Sequence, residues 1–70
     1  MQKAQQEYAR NAVAFSSTRK RNRLSLRDVS KITGVHFLAV FRFDHRKPIS
    51  AIHYIALCEW TSQENPAFKI

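Results

Sequence analysis

The stretch on which the fold turns is Leu24-Ser25-Leu26-Arg27-Asp28-Val29-Ser30-Lys31-Ile32-Thr33-Gly34-Val35-His36-Phe37. Ser25 is placed to cap the free amides of a helix opening at Leu26. Asp28, three residues on, sits near the positive end of that helix, and Leu24 and Val29 take the two positions of a hydrophobic staple. The pattern predicts a helix from Leu26 to about Ile32. It stops at Gly34, the only glycine of the chain and the one residue that takes a positive φ without steric cost. A second helix is expected almost at once, from about Phe37 to Asp44. Val35 and Val40 repeat the staple spacing around His36, and Val40 and Phe43 point inward.

Outward from this pair the chain stays helical. Nothing from Gln2 to about Asn22 breaks a helix, and Ala4, Tyr8, Ala12 and Phe15 recur at steps of three and four, which predicts one buried stripe. Residues 1–14 read as a helical extension or arm. His45-Arg46-Lys47-Pro48 ends the second short helix, because a residue before proline avoids helical backbone. Ser50 caps a further helix, about Ala51 to Thr61, with Ile49 and Tyr54 as a third staple pair and an inner stripe of Ile52, Ile55, Ala56 and Trp60. Asn65-Pro66 reads as a cap and first position of a short final turn through Ala67, Phe68 and Ile70. The expectation is one all-α domain over residues 1–70, a compact bundle of about five helices.

Composition narrows the function. Seventy residues with 44% hydrophobic content suit one small core. No apolar run approaches the roughly 18 residues that span a bilayer, and the first residues do not read as an apolar signal segment. A lone cysteine, Cys58, cannot form an internal disulfide and suits a reducing cytosol. Twelve Lys and Arg against five Asp and Glu leave a net charge of +7. Six of those twelve fall between Arg19 and Lys31, a field that attracts polyanions, chiefly nucleic acid or an acidic membrane face.

Other chemistries find little support. His36, His45, His53 and Cys58 lack the close-paired spacing of metal ligands, so no metal is expected. There is no glycine-rich phosphate loop, and the five acids are scattered singly, with no carboxylate pair for acid and base roles. Cys58 reads as a small core residue rather than a nucleophile. Neither an enzyme nor a cofactor or small-molecule site is expected.

Two short helices joined by a tight glycine turn in a basic chain make a helix-turn-helix over about residues 25–45. From about Phe15 to Trp60 the sequence resembles the lambdoid phage repressor and Cro family, the XRE type. Phe15, Thr18 and Arg19 match the close of that family's first helix, and Leu24-Ser25 the start of its second. Ser30 stands at a position kept small, Gly34-Val35 at the turn, and Val40, Arg42, Phe43 and Asp44 in the recognition helix. Pro48-x-Ser50 and Ile55-Ala56-Leu57 match the helix behind it.

The resemblance implies a lambda-repressor-like fold with an ion pair between Arg19 and Asp44 that orients the recognition helix. It assigns base reading to His36, Phe37, Leu38, Phe41 and Arg42. Arg23, Arg27 and Lys31, with Arg46 and Lys47, are the candidate phosphate clamp. Phe37 and Leu38 depart from the family's polar side chains at those positions. They could cover thymine methyl groups, dock on a protein, or turn into the core. Arg46 stands where the family commonly has glycine, which implies a differently built loop after the recognition helix. The implied function is a sequence-specific regulator on double-stranded DNA in a bacterial host cytoplasm, of phage or prophage type, binding a palindromic operator as a homodimer. Two alternatives remain open: a protein-interaction module that docks a partner through Phe37, Leu38 and Phe41, and a non-specific DNA coat driven by charge.

Overall fold

The structure is a computed structural model that describes residues 2–68, with side chains from Gln5 onward. Ala4 of the first stripe and Ile70 of the final turn therefore lie outside the described side chains. Four helices follow in order, α1 (Gln2–Arg21), α2 (Leu26–Thr33), α3 (Phe37–Asp44) and α4 (Ala51–Glu64), and no strand occurs among the described residues.

Local chemistry accounts for most boundaries. Ser25 and Asp28 form a reciprocal capping box at the start of α2: Ser25 Oγ accepts from the Asp28 amide at 3.0 Å, and Asp28 Oδ2 accepts from the Ser25 amide at 2.9 Å. Gly34 ends α2 with φ 76°, its amide donating to the Ser30 carbonyl. Ser30 Oγ then donates to the Val35 carbonyl at 2.6 Å, pinning the turn from within. The small residue there holds the turn as well as leaving room. His36 caps α3, its Nδ1 accepting from the Leu38 amide at 3.1 Å. Ser50 caps α4 by accepting from the His53 amide.

The core is built around two phenylalanines. Phe15 of α1 and Phe43 of α3 are fully buried with ring centroids 5.2 Å apart. Trp60 of α4 meets Phe15 edge-on, and Tyr8 and Tyr54 meet Phe43 edge-on. Ala12, Val29, Val35, Ala39, Val40, Leu57 and Cys58 fill the remainder. Two buried hydroxyls join them without an unpaired donor, because Thr18 donates to the Ala14 carbonyl and Thr61 to the Leu57 carbonyl, each at 2.8 Å. α1 is continuous through residues 5–14 and packed there: Tyr8 donates to the Lys47 carbonyl, and Asn11 Nδ2 donates to the Tyr54 hydroxyl at 2.6 Å.

Three expectations need correction. The fifth helix is a single turn: Pro66 has no amide to donate, and the closure is one bond from the Phe68 amide to the Asn65 carbonyl at 2.9 Å. α4 runs three residues past Thr61, because nothing breaks it before Asn65, whose extended backbone is the one favoured ahead of proline. The inner stripe of α4 is also different. Ile52 and Ile55 are 78% and 54% exposed, and the buried line is Leu57, Cys58, Trp60 and Thr61 with Tyr54 half-buried. The helix is rotated so that Tyr54, Leu57, Cys58 and Thr61, at steps of three and four, face α1 and α3. Trp60 keeps its expected place.

Candidate nucleic-acid interface

α2 and α3 are joined by only three residues, Gly34-Val35-His36, so their relative angle is set by the buried Val29, Val35 and Val40 and by the Ser30–Val35 bond. α3 buries Ala39, Val40 and Phe43. Leu38, Phe41 and Arg42 form an outward face, while Asp44 turns toward α1.

On that face Leu38 is 50% and Phe41 41% exposed, and His36 and Arg42 are exposed. Phe37 is half-buried and lies outside the buried core, so neither it nor Leu38 is a core residue. The Arg27 guanidinium of α2 stands 4.7 Å over the Phe37 ring centroid. Phe37 neighbours Phe41 with centroids 6.4 Å apart, and the His45 ring lies 4.3 Å from that of Phe41. A continuous π strip thus runs from α2 along α3 to its C-terminal end. His45 Nδ1 lies 2.9 Å from the Phe41 carbonyl, which holds the imidazole in place. The strip was not anticipated as a unit, although the four-residue steps 37, 41 and 45 are its signal.

A shallow cavity of about 290 Å³ between α3 and the start of α4 is lined by His36, Leu38, Arg42, Ser50 and His53. It brings His53 beside three base-reading candidates, His36, Leu38 and Arg42.

The ion pair positions come together. Arg19 Nε is 3.4 Å from Asp44 Oδ1, with both side chains mostly covered. Asp44 also accepts from Ser16 Oγ at 2.6 Å, and Arg19 Nη1 donates to the Leu24 carbonyl at 2.9 Å. Ser16, one turn before Arg19 on α1, is a partner that the sequence reading missed. One small network therefore ties the ends of α1 and α3 to the lead-in of α2. His45 Nδ1 lies 4.0 Å from Asp44 Oδ2 at its edge.

The phosphate candidates are dispersed. Arg23, Arg27 and Lys31 are exposed in and before α2, and Arg46 and Lys47 are exposed after α3. Arg27 is committed to Phe37 in this structure. Arg23 and Arg46 hold positive φ, 57° and 61°. The loop after α3 thus makes a left-handed turn at Arg46 even without glycine. Arg46 also lines a groove with Gln5, Tyr8 and Pro48, against α1.

Four groups carry resolved shifts in proton affinity. Asp28 is held below the usual carboxylate range, first by the Ser25 amide and then by the Ser25 hydroxyl. Tyr8, Tyr54 and Cys58 are pushed up, in each case chiefly by burial. Among the described residues no group of three or more His, Cys, Asp or Glu gathers where a metal ion could bind, and no helix is long and apolar enough to cross a membrane.

Compared with models of protein families, with curated proteins and with solved structures, the chain matches none.

Proposed function

We propose that this protein is a sequence-specific double-stranded DNA-binding regulator, with α2 and α3 as a helix-turn-helix of the lambda-repressor-like, Cro type and α3 as its recognition helix. It acts as a homodimer on a palindromic operator, in the cytoplasm of a bacterial host, as a phage or prophage regulator would. The observation that carries this reading is α3 itself. It is anchored on its inner side by Val40 and Phe43 and by the Arg19–Asp44 pair, and it presents Leu38, Phe41 and Arg42 outward in a chain of net charge +7.

In a major groove, Arg42 reaches guanine O6 and N7, while Leu38 and Phe41 cover thymine methyl groups. His36 adds a contact at the leading end of α3. Lys31, Arg23, Arg46 and Lys47 take phosphates on either side. Arg27 supports Phe37 first and reaches the backbone only as a secondary contact. Two copies set their recognition helices roughly 34 Å apart, one helical turn of DNA. Extents of 32 × 25 × 17 Å are compatible with that spacing for two copies side by side.

Selection from randomised duplex DNA at near-physiological salt tests this reading. The expected result is an enriched inverted repeat with half-sites about one turn apart and thymine at the positions facing Leu38 and Phe41. Retention without enrichment would leave a charge-driven coat. No retention would favour the second reading, a protein-docking module, which draws on the exposure of Leu38 and Phe41 on one face.

A further inference from the structure

The outer face of α4 presents Ile52 and Ile55, both more than half exposed, although neighbouring apolar residues of the same helix are buried. Residues 52, 55 and 59 fall on one line along a helix, so Glu59 extends that stripe. α4 is also electrically distinct. Lys and Arg occur in α1, α2 and α3, but none of the twelve lies within Ala51–Glu64, which carries Glu59 and Glu64 instead.

We infer that the Ile52–Ile55 face of α4 is where a second copy of this chain docks, α4 against α4 in antiparallel across a two-fold axis near Ile55. Charge selects this occupant. Two chains of +7 repel through most of their surfaces, and α4 is the one helix on which they can meet without opposing basic side chains. A two-fold near Ile55 sets Glu59 of each copy alongside Ile52 of the other, toward the positive N-terminal end of the facing α4. The isologous geometry buries both isoleucine pairs at once. Two isoleucines per copy fall short of the roughly 800 Å² per partner that a standing complex buries, so the pairing is weak in solution and completes on DNA. The inference supplies the two-fold required by the operator reading and rests on that reading for its purpose, while its test contains no DNA.

The test is sedimentation equilibrium of the full chain from micromolar to near-millimolar concentration, with disulfide trapping of an Ile55→Cys variant. The expected results are a mass that climbs toward twice the monomer's and self-crosslinking of Ile55→Cys well ahead of an Ile32→Cys control, another exposed isoleucine, placed on α2. Cys58 is buried and does not compete. Ile52→Asp combined with Ile55→Asp is expected to abolish the mass increase and leave the helical circular dichroism and melting unchanged. A dimer that persists in that double variant would overturn the inference. So would a wild-type chain that stays monomeric with Ile55→Cys crosslinking no faster than Ile32→Cys. Failure of the DNA selection with the dimer intact would remove only the DNA reading.

Discussion

Arg19 of α1 and Asp44 of α3 are paired at 3.4 Å, and each has a further partner: Ser16 on the carboxylate, the Leu24 carbonyl on the guanidinium. The pair is long for an ion pair, and most of its value lies in satisfying a mostly covered carboxylate. Asp44→Ala removes the carboxylate from both the Ser16 hydroxyl and Arg19 Nε and leaves the guanidinium only the Leu24 carbonyl, an expected loss of about 1–3 kcal/mol in urea unfolding. Asp44→Asn keeps an oxygen for Ser16 and is expected to cost less. Equal, negligible losses for both would show the network to be incidental.

Arg46 at φ 61° and Gly34 at φ 76° are the two turns on either side of α3, one strained and one free. Arg46→Gly relieves a left-handed side chain and is expected to raise stability by up to about 1 kcal/mol, less the added entropy of glycine. It removes a phosphate candidate at the same time, so DNA affinity falls while stability rises. Gly34→Ala is expected to cost about 1 kcal/mol from backbone strain alone, because a Cβ there meets nothing within 4 Å. Chemical denaturation of both variants checks the opposite signs.

The boundaries of α2 and the starts of α3 and α4 were legible because caps are local chemistry: Ser25, Asp28, Gly34, His36 and Ser50 act on residues within a turn of themselves. The register of α4 was not. Ile52 and Ile55 with Ala56 and Trp60 make as good a stripe as Tyr54, Leu57, Cys58 and Thr61; Ala56 and Trp60 do face the core, and only the position of α1 and α3 turns Ile52 and Ile55 outward. Thr61 is polar by type, yet its hydroxyl is satisfied by its own helix and it packs as core. The Arg19–Asp44 proximity came by resemblance, and no spacing rule would have found residues 25 positions apart. The Phe37–Phe41–His45 strip was within reach of helical periodicity. The covering of Phe37 by Arg27 depends on the angle between α2 and α3, which sequence does not specify.

Acid should weaken the start of α2. The folded chain holds Asp28 below its ordinary carboxylate value because the ionised form accepts from the Ser25 amide and hydroxyl. The unfolded chain therefore takes up the proton first, and the contribution is complete above the ordinary carboxylate range and lost as pH falls through the lowered value. Wild type is expected to lose stability below about pH 4 more steeply than Asp28→Asn, which lacks this titration. Parallel pH profiles of the urea midpoint would rule out Asp28 as the source.

Alkali should act on the other side of the core. Tyr8, Tyr54 and Cys58 are all raised, first by burial, and the Tyr8 and Tyr54 rings lie 5.3 Å apart. For groups raised in the folded state the neutral form is favoured there. Their contribution is present below the ordinary thiol and phenol values and declines as pH rises through the folded ones. Ultraviolet titration is expected to show both tyrosines ionising above the ordinary value of about 10. A thiol reagent at mildly alkaline pH should leave Cys58 untouched until the chain unfolds. Rapid labelling of the native protein would contradict the burial that causes the shift.

Arg27 distinguishes a structural cation from a phosphate clamp. Its guanidinium is 4.7 Å over the Phe37 ring, a contact between α2 and α3 that exists without DNA. A double-mutant cycle of Arg27→Ala and Phe37→Ala in the free protein is expected to give a coupling of about 0.5–1 kcal/mol, the range for a cation over an aromatic face at a half-exposed site. A residue serving phosphates alone would show none. The same cycle read out as DNA affinity separates the roles further. If Arg27 acts by holding Phe37 against α3, Arg27→Ala weakens preferred sequences more than random ones and barely alters the salt slope. If it binds phosphate directly, affinity falls uniformly across sequences and the slope drops by about one.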